Sequence, residues 1–575
     1  MNFGFQMRIL AKTLNSNYLK FFLIVIIILY PIIFIWQCGD LTDTGFFALN
    51  YQFFFQNLKL GQTSSLSFFT DFIGGLYFKL FPSLGIIGLK LLFLLFFYLS
   101  IFFTFLILHK LTKKKHLLLI GVLVAVSFSL RCSEMIFSRD IASWLFLLIS
   151  SYFMIIGFEK IHSIFMLISG FFFFIACLSR FPNITFFFLL LLVFSYLFII
   201  KKNKTGIADY KFLFYYFVFV IGFFLAFTFF WFVLIYFELT NVFLSDLSTI
   251  FFGSESSYSS RILLKNYLND FFSFFPQLIV ITTFIISSSF IFKYSKQFKK
   301  PIIFIAYVII LLFIYILKDK FFFSYHSTIK YLVPAFCFFP LFFCLWDKDK
   351  FSVYVLVLLA ISITQVAGSN TGFFLKFGYC GFILIPLSLI IISEKKIFLN
   401  NNFLLNTNLI ISLGAAYIFL FSLVTKIGFI YGVDSGLSCR LRAIYPIENK
   451  LMKGIYTTKT NALHIKNLVN SIENNNKRKK SIFIFGHQPI FYYLTKNQPA
   501  VKKFWLVNDF VSMDELFFSI SKSIQKSGEF PLIVDTKQKI MGDDGESELK
   551  KFLLINQYKK VEDNFDYSIW IVSSN

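Results

Sequence analysis

Long apolar runs recur along most of this sequence, and they restrict the chain to one broad class of fold. The first run is "FFLIVIIILYPIIFIW" (residues 21–36), and similar runs of about 15 to 25 residues follow it. Hydrophobic residues make up 57% of the chain and 89 of the 575 residues are phenylalanine, whereas soluble domains contain about 45–50% apolar residues. A polytopic α-helical membrane protein is therefore expected.

We predict about thirteen transmembrane spans within a membrane module at residues 1–425. The first run is a span rather than a cleavable signal, because it is long and no small-residue cleavage site follows "IIFIWQCGD". The predicted spans lie near 21–37, 85–108, 117–130, 144–158, 164–178, 184–200, 212–237, 275–292, 302–317, 332–346, 351–367, 379–393 and 409–425.

Basic residues predict the orientation of the chain in the membrane. The formal net charge is +24, and lysine and arginine concentrate in short connections such as 110–115, 201–211 and 293–300. Short connections rich in these residues face the cytoplasm, which places the N-terminus inside and residues 426–575 outside. The same rule explains the charge without a nucleic acid partner. Abundant Asn, Lys and Ile suggest an AT-rich bacterial genome, so we expect a bacterial inner membrane and a periplasmic C-terminal domain.

Acidic residues collect in the longer segments that are expected outside. Asp40 and Asp43 follow the first span in "WQCGDLTDTGFFALNYQFFFQN" (36–57), where two solvated helix-end acids and an active site are alternative interpretations. The continuation "FFALNYQFFFQN" is typical of a helix lying in the membrane interface. Further outer acids are Asp71, Glu134, Asp140, Glu238, Asp246, Glu255, Asp270 and Asp319.

Other outer stretches place charged or polar groups beside apolar runs. Arg180 in "LSRFPN" lies between two very apolar runs, where a charge is costly unless it is paired or functional. Phosphate binding and pairing with an acid such as Asp140 both remain open. "RCSEMIFSRDIAS" (131–143) holds Glu134, Arg139 and Asp140, which suit a salt-bridged hairpin or a binding site. The remaining candidates are His326, Lys330, Arg261 and Asn370.

The C-terminal segment, residues 426–575, reads as a small α/β domain. Strands are predicted at 481–486, 531–535 and 567–572, with a helix over "QPIFYYLTKN" after the first. His487 lies at that strand-to-helix junction, where packing and acceptor binding are both open. The seven cysteines form no CxxC pair and no metal-ligand spacing, so they indicate small buried side chains.

Several motifs resemble the GT-C superfamily of membrane glycosyltransferases. The order of an acid after the first span, a juxtamembrane helix and "GGLYFKLFP" (74–82) is similar to the family of protein O-mannosyltransferases and lipid A aminoarabinose transferases. "DTGFFAL" (43–49) has Thr44 where that family has Glu, and "TSSLSFF" lacks its prolines. "HSTIKYLVPAF" (326–336) resembles its basic-Tyr-x-x-Pro signature, with Lys330 in place of Arg.

The resemblance implies a polyprenyl-phosphate sugar donor and a glycan, lipid or protein acceptor. A carboxylate at the membrane surface can deprotonate the acceptor hydroxyl, and cations can stabilise the leaving phosphate. We expect Asp43 to be the catalytic base and Asp40 to tune it or to help hold Mg²⁺ or Mn²⁺. Donor-phosphate contacts are predicted for Arg180, Lys330, His326 and Arg139, and substrate contacts for Glu134, Asp140, Asn370 and Arg261.

Two other functions fit the composition less well. An O-antigen ligase or polymerase usually has its large outer loop between late spans rather than a C-terminal domain. A transporter or flippase for lipid-linked glycans would carry ionisable groups in mid-membrane, whereas here they gather at one face.

Overall fold

The computed structural model of the protein describes residues 17–37, 41–56, 67–129, 135–205, 211–252, 264–270, 272, 350–367, 383–394, 442–477, 481–501, 513–537 and 542–572. Most of these residues are helical, and a small mixed sheet lies in the C-terminal part. A helical module and a C-terminal α/β domain were both predicted. The predicted boundary between them, at residue 425, lies outside the described residues.

The described helices of the module cover both predicted spans and predicted outer segments. They are α1 (Asn17–Ile32), α2 (Asp43–Phe53), α3 (Phe68–Leu80), α4 (Gly85–His109), α5 (Lys115–Ser129), α6 (Arg139–Lys160), α7 (Ser163–Ser179), α8 (Phe186–Thr205), α9 (Lys211–Tyr236), α10 (Thr240–Phe252), α11 (Lys350–Val366) and α12 (Leu384–Glu394). Helices α2, α3 and α10 belong to the predicted outer segments, and the others coincide with predicted spans.

Among the described residues, three helical segments are long and apolar enough to cross a membrane, judged by length and composition: Pro82–His109, Arg139–Lys160 and Leu213–Tyr236. Shorter apolar helices are Asn17–Ile32, Lys115–Ser127, Ser163–Ser179, Phe181–Ser195 and Tyr354–Val366. The spans predicted near 275–292, 302–317, 332–346 and 409–425 lie outside the described residues. The total of about thirteen spans therefore stays a prediction.

Aromatic side chains fill the space between α7, α8 and α9. The ring centroid of Phe187 on α8 lies 5.0 Å from that of Phe173 and 4.4 Å from that of Phe223. The backbones of α7 and α9 meet at Gly170, where an added Cβ would lie 2.0 Å from the carbonyl oxygen of Phe219. Membrane helices approach this closely where the contact residue is small.

The helices have two chemically different ends. Lys110, directly after α4, pairs with Glu159 on α6, and the Tyr354 hydroxyl donates a hydrogen bond to the same carboxylate. We call this the basic end, because the lysine-rich connection after α4 begins there. Helix α6 runs from Arg139 to Lys160, so Arg139 lies about 30 Å away at 1.5 Å per residue. We call that opposite end the domain end, because the C-terminal domain packs there.

The C-terminal domain holds a four-stranded mixed sheet of order β3-β4-β6-β5. Its elements are β1 (Tyr445–Pro446), β2 (Tyr456–Thr457), α13 (Lys459–Asn475), β3 (Ile482–Phe485), α14 (Ile490–Thr495), α15 (Met513–Ser527), β4 (Leu532–Asp535), α16 (Gly542–Ile555), β5 (Tyr558–Asp563) and β6 (Ser568–Val572). Strands β3 and β4 pair in parallel, and β6 pairs antiparallel with β4 and β5.

The three predicted strands and the helix after the first are present as β3, β4, β6 and α14. Strand β5 was not predicted. Its sequence "YKKVED" is polar and mostly exposed at the edge of the sheet, so it lacks the apolar run that reveals a buried strand.

The C-terminal domain contacts the segment after α1 on both sides of its undescribed residues 38–40. The Tyr456 amide donates a hydrogen bond to the carbonyl of Trp36 (2.8 Å), and the Ile490 amide donates one to the carbonyl of Leu41 (3.2 Å). At Gly45 on α2, an added Cβ would lie 2.1 Å from the backbone nitrogen of Ile490. Helix α2 is thus packed inside protein, with Ala48 and Leu49 buried.

Candidate functional site

The described candidate side chains lie at the domain end, where several helices begin or end. Helix α6 starts there with Arg139 and Asp140, and α7 ends there immediately before Arg180. Helix α2 starts with Asp43 in its first turn. The structure therefore brings four predicted site residues to one end of the helices, and two of them, Arg180 and Asp140, touch directly.

Arg180 is a buried cation at this end that two polar contacts hold in place. Its side chain is 8% exposed, its Nε lies 3.2 Å from Asp140 Oδ1, and its Nη2 donates a hydrogen bond to the Ala367 carbonyl at 2.7 Å. The pairing with Asp140 that the sequence left open is present. Nη1 is buried and has no hydrogen-bond partner among the described residues. Since a buried donor without a partner costs about 1–3 kcal/mol, this nitrogen is suited to an anionic oxygen.

Asn183 adds a second unsatisfied polar atom close to Arg180 in sequence. It lies in the short 3₁₀ helix Phe181–Thr185 and is fully buried. Its amide nitrogen donates to the Ala176 carbonyl at 2.8 Å, but its Oδ1 has no partner among the described residues. Arg180 and Asn183 therefore each carry one buried polar atom without a partner among the described residues, a donor on Arg180 and an acceptor on Asn183.

Asp71 is a buried carboxyl group at the same end. It lies in the first turn of α3, is 2% exposed, and its Oδ2 accepts a hydrogen bond from the Ser67 hydroxyl at 3.0 Å. Helix α3 is not among the candidate membrane spans. Burial raises the pKa of Asp71 to about 7, although the Ser67 hydrogen bond and the charge of Arg139 act in the opposite direction. The group therefore exchanges a proton near neutral pH.

Arg139 links α6 to helices α2 and α3. Its guanidinium lies over the ring of Phe46, with 5.9 Å from Cζ to the ring centroid. Its charge acts on Asp71 and also on Tyr51, whose hydroxyl donates a hydrogen bond to the Phe137 carbonyl at 2.8 Å. Because Phe46 is one turn from Asp43, Arg139 connects the neighbourhood of Asp43 with that of Asp71.

The Tyr51 ring fixes the distance between α2 and α3. An added Cβ at Gly74 would lie 2.4 Å from this ring, so only glycine admits the ring at that position. Thr70 on α3 donates a hydrogen bond to the Ser179 carbonyl at 3.2 Å, directly before Arg180. Helix α3 is therefore held between Tyr51 and the end of α7, with Asp71 between the two contacts.

Asp43 is half-buried at the start of α2, and acids in the first turn of a helix are stabilised by its dipole. Asp71 in α3 and Asp140 in α6 also lie in the first turn of their helices. Asp40 lies outside the described residues. Among the residues that are described, no group of three or more His, Cys, Asp or Glu side chains is placed to hold a metal ion. A Mg²⁺ or Mn²⁺ site at Asp40 and Asp43 stays a prediction.

Lys90 is a buried cation that the sequence analysis did not single out. It lies on α4 near the domain end, is 1% exposed, and its Nζ donates a hydrogen bond to the Gln37 carbonyl at 2.8 Å. It thus binds the chain just before the Asp40–Asp43 segment. A lone lysine inside an apolar span is the signal that could have revealed it, by the argument applied to Arg180.

Five further predicted site residues lie outside the described part of the chain: Glu134, Arg261, His326, Lys330 and Asn370. Their proposed roles stay predictions. Asp71 was counted among the outer acids without a role, because nothing in "FFTDFIGG" shows that its carboxyl group is buried.

The domain end thus combines guanidinium groups from two helices with carboxyl groups of different exposure. Such an arrangement can bind an anion and exchange a proton beside it. A scan against protein-family models and a search of curated proteins both find no match to this chain.

Proposed function

We propose that the protein is an integral membrane glycosyltransferase that uses a sugar linked to a polyprenyl phosphate. The acceptor is a hydroxyl group of a glycan, lipid or protein. We place the reaction at the domain end of the helices, on the outer face of a bacterial inner membrane. Apolar helices with buried charged groups at their domain end suit a substrate with a lipid tail and a polar head.

The observation that carries this proposal is the geometry of Arg180. Asp140 and the Ala367 carbonyl engage Nε and Nη2, while Nη1 is buried without a partner among the described residues. A guanidinium held at two nitrogens has lost its rotational freedom, so its third nitrogen can bind a phosphate oxygen at little further entropic cost. In the proposed reaction, Arg180 contacts the phosphate of the donor.

The remaining roles follow from the chemistry of sugar transfer. Asp43 accepts the proton of the acceptor hydroxyl, whose oxygen then forms the new bond to the sugar. The bond between the sugar and the phosphate breaks, and the polyprenyl phosphate leaves with the bonding electron pair. Arg180 and Arg139 stabilise the negative charge that grows on the phosphate.

Purified protein incubated with a panel of polyprenyl-phosphate sugars and acceptors tests the proposal through the release of lipid phosphate. At least one donor should be consumed. Arg180→Gln should weaken donor binding, and Arg180→Lys should not restore it fully, because a lysine cannot hold both existing contacts and still reach a third. Lys110→Gln is the matched control, since Lys110 is also a paired helix-end cation but lies at the basic end.

Two results would contradict the proposal. Equal donor affinity and turnover in Arg180→Gln and the control would leave Arg180 with a structural role only. Transfer of intact donor across proteoliposomes, without any release of lipid phosphate, would identify a flippase instead.

A further inference from the structure

Asp71 is surrounded by groups from several elements, and only one of them is a direct partner. Ser67 donates the hydrogen bond described above. Tyr51 on α2 and Arg139 on α6 interact with it electrostatically. On the side of α7, Thr70 contacts the Ser179 carbonyl, with Arg180 next in the chain. Lys90 on α4 is bonded to the Gln37 carbonyl and is not among the groups that shift the pKa of Asp71.

Among the described residues, none forms an ion pair with Asp71. Arg139 acts on Asp71 through its field, since its charge favours the ionised carboxylate. Arg139 is half-buried as a whole residue, and its guanidinium lies over the Phe46 ring. The charge of Arg139 therefore acts on the buried carboxylate, while Arg139 itself is not fully buried.

We propose that an anion bound beside Arg139 causes Asp71 to take up a proton, so that anion binding at the domain end is coupled to protonation of this buried carboxyl group. The identity of the anion rests on the function proposed above: the phosphodiester of a lipid-linked sugar donor. Asp71 acts here as a positioning residue that adjusts the charge of the anion site.

The coupling has a simple electrostatic origin. An anion beside Arg139 cancels the positive field that stabilises the ionised form of Asp71. The Ser67 hydrogen bond would then be the main interaction that stabilises the buried carboxylate. A buried charge without a compensating charge is costly. Uptake of one proton removes that charge, and it also removes the repulsion between the carboxylate and the incoming anion.

The sign of the pH effect follows from the protonation state of the free protein. Burial sets the pKa of Asp71 at about 7, so the group is already protonated well below neutral pH and binding takes up no proton there. Above about pH 7, binding must first protonate it, and affinity should fall by up to about tenfold per pH unit. Tyr51 does not compete for this role, because burial raises the pKa of its phenol further above its ordinary value.

The test measures proton uptake by calorimetry in buffers of different ionisation enthalpy, with a short-chain polyprenyl phosphoryl sugar as the probe. Its phosphodiester keeps one negative charge throughout the range, so it does not titrate itself. Uptake should rise from near zero at about pH 6 toward one proton per bound probe at about pH 8.5.

Asp71→Asn should bind the probe with an affinity that no longer changes with pH and equals that of the wild type at low pH. A merely structural role would weaken binding at every pH instead. Ser67→Ala is the second variant, for the case that Asp71→Asn does not fold. It removes a hydrogen bond that lowers the pKa of Asp71, so the inflection in affinity should move to higher pH.

Glu448→Gln, which removes an exposed pair with Lys466 in the C-terminal domain, should behave as the wild type does. Binding with pH-independent affinity in the wild type, or an unchanged pH slope in Asp71→Asn, would overturn the coupling and leave the proposed function intact. Failure of every lipid phosphodiester to bind at any pH would refute both.

Discussion

Arg180 Nε lies 3.2 Å from Asp140 Oδ1, which joins the end of α7 to the start of α6. The two partners differ in exposure: the arginine side chain is 8% exposed and the aspartate 49%. The buried cation therefore depends on this carboxylate more than the carboxylate depends on the cation.

Asp140→Asn should destabilise the protein by about 1–2 kcal/mol, because it leaves the Arg180 charge buried without a counter-charge. This value is lower than for a fully buried pair, since water screens the exposed aspartate. Thermal unfolding in detergent measures the change. Glu448→Gln removes a more exposed pair and should cost about 0–1 kcal/mol. Equal melting temperatures for the two variants would argue against a structural dependence of Arg180 on Asp140.

Asp43→Asn should retain the fold and lose about 10²–10⁴-fold in turnover, because the amide cannot accept the proton of the acceptor hydroxyl. Asp246→Asn is the matched control, since Asp246 on α10 is another half-buried acid of an outer segment. Rates are compared on purified, folded variants with one donor and one acceptor. If Asp43→Asn turned over normally while Asp140 proved indispensable, Asp140 rather than Asp43 would be assigned as the catalytic base.

Gly45→Ala should weaken the packing of the C-terminal domain on α2, because its Cβ would lie 2.1 Å from the backbone nitrogen of Ile490. Backbone atoms cannot rotate away, so a cost of about 1–3 kcal/mol is expected. Faster release of the domain by limited proteolysis is the readout. In Gly157→Ala the nearest atoms belong to the flexible Met166 side chain, at 3.1 Å, and little change is expected. Identical proteolysis of both variants would contradict the prediction.

Stability should fall as pH rises from about 4 to about 7, because of Asp71. Its pKa is about 7 in the folded protein and about 3.9 in an unfolded chain, so the folded state binds more protons between these values. The stabilisation that Asp71 contributes is complete below about pH 4 and is lost toward pH 7. Over this range the free energy of unfolding falls by at most about 1.4 kcal/mol per pH unit. Thermal unfolding of Asp71→Asn across this range should lack the slope. If stability changed with pH in the same way in the wild type and in Asp71→Asn, Asp71 would not be the source of the pH dependence.

The C-terminal domain should lie outside the cytoplasm, as the distribution of basic residues predicts. Alkaline phosphatase fused after residue 572 should therefore be active, and the same enzyme fused at residue 112, beside the lysine-rich connection of the basic end, should be inactive. The reverse pattern would invert the topology and place the domain end in the cytoplasm.

The sequence by itself predicted those parts of the structure that depend on local composition. Helix α4 (Gly85–His109) coincides with a predicted span at 85–108, and β3 lies within a predicted strand at 481–486. Hydropathy and periodicity belong to consecutive residues, so a run of apolar side chains reveals its element before any packing is known. The same reasoning placed Asp140 and Arg180 beside the ends of apolar runs, because charged groups are excluded from the middle of such runs. Asp43 was expected at the end of the first span, whereas it begins the separate helix α2.

Only the tertiary structure decided which of these groups meet and which are buried. The pair of Arg180 with Asp140 was one of two interpretations of an isolated arginine, and α6 and α7 had to pack before it could form. Asp71 looks like an ordinary outer acid in the sequence, yet α2 and the end of α7 enclose it. Burial and pKa depend on neighbours that are distant in sequence, since the cost of a charge is set by everything that replaces its water. For the same reason the contact between Leu41 and Ile490 has no signal in either stretch of sequence, and folding alone brings the C-terminal domain to the start of α2.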